Sequence, residues 1–125
     1  CVNSHSCVNT PAQYGAIAAL DGPENHLDDM MKEFNARRKL IVKGLENLNG
    51  IKCSMPGGSF FVFPNIEKTG MNGEEFTKRC LQEAGVAMIP GTAFGKFATV
   101  NVRLNFATSR ENIGKAIEKI DKLLK

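Results

Sequence analysis

No apolar run in this 125-residue chain approaches the roughly 18 residues needed to span a bilayer. No charged segment leads into an apolar one at its start, so neither a membrane span nor a signal peptide is expected. Long basic runs are missing too. The longest is the Arg37-Arg38-Lys39 triplet, and 16 basic residues against 13 acidic ones leave a net charge of only +3, which gives nucleic-acid binding no support. The cysteines Cys1, Cys7, Cys53 and Cys80 form no C-x-x-C pair and stand near no histidine pair, so a metal site is not expected. Idle or buried thiols in a reducing, cytoplasmic setting account for them. With 42% hydrophobic and 23% charged residues, the chain has the composition of an ordinary globular domain. Its first residue is Cys rather than Met, which leads to the expectation that it has been processed, truncated or cut from something longer.

The residues that are present divide the chain into three pieces. Thr10-Pro11 opens a helix of small residues through Leu20 that has too few large side chains to stand alone. After the Asp21-Gly22-Pro23 turn comes a long helical stripe, Leu27, Met30, Phe34, Ile41, Leu45 and Leu48, interrupted by Arg37 and Arg38 and stopped by Asn49-Gly50. Beyond Gly50 the spacing changes to short apolar runs between Pro and Gly, the mark of an α+β unit. Strands are expected at Ile51 to Ser54, at Ser59 to Phe63 (apolar on both faces, hence central) and at Val86 to Ile89. Asn72 with Glu75 should cap a helix that turns Phe76, Cys80, Leu81 and Ala84 inward and closes at Gly85. Pro90 to Gly95 reads as a loop. Thr108 with Glu111 should cap a last helix packing Ile113, Ile117, Ile120 and Leu124.

The stretch from Val100 to Ser109 carries the strongest chemical hint. Extended, it points Val100, Val102, Leu104 and Phe106 to one face and Asn101, Arg103, Asn105 and Ala107 to the other. One arginine between two carboxamides on a rigid strand offers a planar fork of donors suited to bidentate capture of a carboxylate or phosphate. The same pattern also describes an arginine in an ordinary surface ion pair at the edge of a half-buried sheet. Other candidates are weaker. His5 has no acid nearby to orient it, Ser59 lacks the second glycine of a nucleophile elbow, and Phe60, Phe61 and Phe63 read as core rather than as a stacking platform.

Four stretches in order resemble the C-terminal part of class I/II, fold-type I aminotransferases of the aspartate aminotransferase-like branch. They are Ser6 to Gln13 (S-C-V-N-T-P-A-Q), Met55 to Pro64 (M-P-G-G-S-F-F-V-F-P), Ile89 to Gly95 (I-P-G-T-A-F-G) and Val102 to Ser109 (V-R-L-N-F-A-T-S). The resemblance implies pyridoxal 5'-phosphate as cofactor, amino acids and 2-oxo acids as substrates, and a homodimer. In that family the arginine of the V-R-x-x-x-A-x-S strand binds the substrate α-carboxylate, which implies that role for Arg103. The residues around it depart from the usual pattern, with Phe97 to Asn101 before the arginine and Asn105 two positions after it. The resemblance also implies that residues 1–22 end the large, cofactor-binding domain and contribute to the dimer interface, that residues 23–49 form a connecting helix, and that residues 50–125 form the small domain, an antiparallel-rich sheet with helices on one face. The family's Schiff-base lysine, pyridine-nitrogen aspartate and phosphate cradle have no match here, so the chain alone is expected to be inactive. The alternative is a free-standing α+β binding domain that has kept the scaffold without catalysis.

Overall fold

The computed structural model describes residues 8–125. The chain forms two compact units, one reaching Met31 and the other Lys32–Lys125. In the first, helix α1 (Thr10–Asp21) starts where expected: Asn9 is its N-cap, accepting from the Ala12 amide, and Pro11 sits in its first turn. None of its residues is buried, and Tyr14, Ile17 and Leu20 are exposed. Helix α2 spans Asn25–Glu46. Of the stripe read from the sequence, Leu27 and Met30 are exposed, while Ile41, Leu45 and Leu48 are buried in the second unit. The helix itself ends at Glu46, ahead of the expected stop, and Gly50 takes φ +82 in the following turn.

The second unit is built around a three-stranded antiparallel sheet in the order β1-β3-β2, with β1 Phe61–Val62, β2 Ile89–Pro90 and β3 Val102–Asn105. The strand read from Val100 onward is thus the central one, and the run Ser59 to Phe63, expected to be central and covered twice, is an edge of only two residues. Two local causes shorten it: Ser59 adopts φ +67, which interrupts the extended backbone, and Pro64 has no amide to donate. Phe60 and Phe63 are consequently 44% and 43% exposed. At Ile51 to Ser54 the expected strand is reduced to one bridge, Lys52 to Asn65, and Asn65 also bridges Asn101. The strand expected over Val86 to Ile89 is displaced to Ile89–Pro90, because the Val86 amide is spent on the Cys80 carbonyl in closing the preceding helix.

That helix, α3 (Gly73–Ala84), has its predicted caps: the Asn72 side chain accepts from the Glu75 amide at 2.9 Å and Gly85 ends it at φ +64. Phe76 and Cys80 face inward, but Leu81, expected beside them, is 56% exposed. Helix α4 (Arg110–Leu123) is capped by Ser109 rather than Thr108; the Ser109 hydroxyl accepts from the Asn112 amide, and the Thr108 hydroxyl accepts from the Asn112 side chain instead. Ile113 and Ile120 are buried, with Ile117 and Leu124 packed against them. The core therefore joins one face of β3, Val102 and Leu104 with Phe106 beyond, to Phe76 and Cys80 of α3, Ile113 and Ile120 of α4, and Leu45 of α2. Fully burying each of these large apolar side chains is worth about 1.5–3 kcal/mol, so this face of β3 is fixed and its opposite face is fixed with it.

Candidate functional site

Register decides which side chains share the uncovered face. Phe61 pairs with Asn105 and Ile89 with Arg103, so Phe61, Ile89, Arg103 and Asn105 all project from the side opposite Val102 and Leu104. Together with Ala87 and Met88 they line an open cleft of about 180 Å³. Arg103 is half-buried there. Its guanidinium carbon lies 4.2 Å from the centre of the Phe61 ring and 4.3 Å from that of Phe94.

Phe94 arrives on a 3₁₀ turn, Gly91–Phe94, where the sequence reading has a loop. The turn lies tight against β3: the Gly91 amide donates to the Asn101 carbonyl at 2.7 Å, and the Thr92 hydroxyl donates to Glu74 at the start of α3. A glycine is required at position 91, because a Cβ there would stand 2.3 Å from the Ala98 carbonyl oxygen. The Phe63 ring meets Phe94 edge-on at 6.1 Å.

The other arginines have conventional partners. Arg37 and Arg110 both pair with Glu33, whose carboxyl is held below the usual range, first by Arg110 and then by Arg37. Arg79 pairs with Glu83, and Arg38 donates to the Pro56 carbonyl at 2.9 Å, tying α2 to the Met55 to Gly58 turn. Among the described residues, only Arg103 of the arginines has neither a carboxylate nor a carbonyl partner, so its donors remain free at the cleft. No acidic side chain lines the cleft to compete for them.

Among the described residues no group of three or more His, Cys, Asp or Glu could hold a metal ion, and no helix is long and apolar enough to cross a membrane. Cys53 and Cys80 are buried and free, as expected of idle thiols, and burial pushes each thiol up to about 11. Cys1, Cys7 and His5 lie outside the described residues.

The family model for aminotransferase class I and II matches residues 2–120. The chain belongs to the class I and II aminotransferase family. Among its relatives, the aspartate aminotransferase of Pyrococcus horikoshii is 46% identical over 114 residues, covering 90% of this chain and 29% of that protein. The aspartate aminotransferase of Bacillus subtilis is 39% identical over 128 residues, covering 97% of this chain and 32% of that protein. A crystal structure of the aromatic aminotransferase from Pyrococcus horikoshii superimposes with a TM-score of 0.93 at 36% identity, over 98% of this chain and 33% of that one. The chain thus spans about a third of the length of the aminotransferases it matches, and the α+β fold expected from the sequence is theirs.

The family implies pyridoxal phosphate, which needs a lysine for its aldehyde and a cradle of donors for its phosphate. The cleft at Arg103 has neither: its lining contains no lysine and no helix N-terminus. The residues of this site do not fit the cofactor. They fit an anionic group small enough to meet one guanidinium edge-on. The sequence pointed to Arg103 on its strand and to Phe61 as core; Phe94, inside the Ile89 to Gly95 stretch nine residues from the arginine, reaches it only through the fold of its turn.

Proposed function

We propose that this chain is the C-terminal segment of an aminotransferase that moves an amino group between an amino acid and a 2-oxo acid, and that Arg103 grips the substrate α-carboxylate. The observation that carries the proposal is the state of Arg103: a half-buried guanidinium on the central strand, free of any acid or carbonyl among the described residues, opening on a cleft with no competing anion. A carboxylate offers two oxygens at the spacing of the guanidinium fork, and the paired, charge-assisted bonds fix direction as well as position. Holding one end of the amino acid against a rigid strand fixes the orientation of its Cα–H bond, which is the entropy an enzyme must remove before that bond is broken. The pyridoxal cofactor, when bound, supplies the electron sink for that step; this segment supplies the orientation. The same reading makes residues 1–22 the end of the cofactor-binding domain and part of a dimer interface, residues 23–49 a connecting helix and residues 50–125 the small domain.

The test is Arg103→Ala in the full-length enzyme that carries this segment. Losing a bidentate pair with a carboxylate that stays desolvated costs roughly 3–5 kcal/mol, so kcat/KM for amino acids should fall by about two to four orders of magnitude. Arg103→Lys should recover only part of this, since a point charge does not reproduce the fork. Amines without a carboxylate should react equally with wild type and both variants. A kcat/KM for every amino acid tested that stays within a few-fold of wild type after Arg103→Ala refutes the assignment and leaves the free-standing binding domain as the better account.

A further inference from the structure

Any carboxylate that held Arg103 in place would take two of its five N–H donors and offset the charge a substrate carboxylate needs, and none stands beside it among the described residues. The usual means of fixing a long, rotamer-rich cation is therefore not used at Arg103, whose side chain costs up to about 2 kcal/mol to immobilise. Aromatic faces offer another means: they attract the cation through the ring quadrupole and leave every N–H free at the edge. Both rings nearest Arg103 are placed for this, at 4.2 and 4.3 Å from the guanidinium carbon. Phe61 pairs ring to ring with Phe60, and Phe94 with Phe63, so each ring that meets the guanidinium is backed by a second phenylalanine.

Each ring is itself supported. Phe61 lies on β1, one step diagonal to Arg103 across the β1–β3 register, and Phe94 is carried by the turn that Gly91 seats against β3. We propose that Phe61 and Phe94 are positioning residues for Arg103, holding its guanidinium plane in the orientation that receives a carboxylate edge-on. The inference rests on the reading of Arg103 as the carboxylate ligand and deepens it by assigning how that arginine is aimed. Its consequence is that the strength of substrate binding depends on the π face at positions 61 and 94, and not only on their bulk.

Phe94→Leu keeps an apolar side chain and removes the face, whereas Phe94→Tyr keeps both. In the full-length enzyme, Phe94→Leu should raise KM for amino acids about three- to thirtyfold with kcat changed less than about twofold, and Phe94→Tyr should stay within about twofold of wild type. In the present chain, the Arg103 Nε–H proton should resonate upfield in wild type and Phe94→Tyr through the ring currents, and return toward the free arginine position in Phe94→Leu. A role in packing alone would leave the Leu and Tyr variants alike in KM, and a wild-type Nε–H position no different from that of Phe94→Leu would show that the ring does not face the guanidinium; either result overturns the inference. Should Phe94→Leu fail to fold, Phe61→Leu gives the same comparison from the other ring. The two readings fail separately: a neutral Arg103→Ala removes the carboxylate assignment and this inference with it, whereas a damaging Arg103→Ala beside Leu variants with wild-type KM removes this inference alone.

Discussion

Gly91→Ala adds one methyl group where the turn that carries Phe94 meets the central strand. The added Cβ would stand 2.3 Å from the Ala98 carbonyl oxygen and 2.7 Å from that of Asn101, and both are backbone atoms that cannot rotate away. Optimal non-bonded separation for such atoms is roughly 3.5 Å, so the turn must withdraw by about 1 Å. Withdrawal stretches or breaks the 2.7 Å bond from the Gly91 amide to the Asn101 carbonyl. A lost bond that leaves its groups half-desolvated costs about 1–2 kcal/mol, and overpacking of this kind adds about 1–3 kcal/mol. The expected loss is therefore about 2–5 kcal/mol. With a urea slope near 2 kcal/mol per molar, typical of small proteins, the midpoint should fall by about 1–2.5 M. Gly57→Ala is the control, because a Cβ there meets nothing within 4 Å and its φ is not positive; it should stay within about 0.5 kcal/mol of wild type. Equilibrium urea unfolding followed by circular dichroism reads both. If Gly91→Ala unfolds within about 0.5 kcal/mol of wild type, the turn is not seated on β3 as described, and the support argued for Phe94 is lost with it.

Gly114 lies inside α4 with open space where a Cβ would go, so Gly114→Ala should stabilise the chain by about 0.5–1 kcal/mol through helix propensity and reduced freedom of the unfolded chain; a destabilised variant in the same urea assay would contradict this. The thiols of Cys53 and Cys80, each pushed from about 9 to about 11 by burial, should resist alkylation at pH 8 when peptides are mapped by mass spectrometry, and should react once the chain is unfolded. Since the native state holds these protons more tightly than the unfolded state, their contribution to stability is complete below about pH 9 and is lost as pH rises toward 11, on the order of 2 kcal/mol per thiol. Urea midpoints that do not fall between pH 9 and 11 would show that the thiols are open to water.

Period and cap chemistry made the helices legible in the sequence. Asn72 acts within a few residues of itself, and the inward placement of Phe76 and Cys80 on α3 and of Ile113 and Ile120 on α4 follows from spacing alone, whereas the cap of α4 lies at Ser109 rather than at Thr108 and Leu81 turns outward. The alternation from Val100 to Phe106 likewise fixed that Arg103 faces away from the core, because a pleated strand allows no other arrangement. The ordered motifs placed the chain in its family for a different reason: they mark positions where turns and strands of one particular scaffold must meet.

Strand extent and sheet order were not legible, since both depend on partners distant in sequence. Ser59 to Phe63 reads as a buried central strand by composition, yet Ser59 leaves the extended region and the central place goes to β3, which has a neighbour on each side. The site divides in the same way. A single strand determines that an arginine is presented. Only the tertiary structure decides that two phenyl rings, one from an edge strand and one from a 3₁₀ turn, close on that arginine while every other arginine is engaged elsewhere. The physical reason is range: capping and alternation act over a few residues, whereas contact between Phe61, Phe94 and Arg103 exists only once the β1–β3 register and the Gly91 turn are both in place.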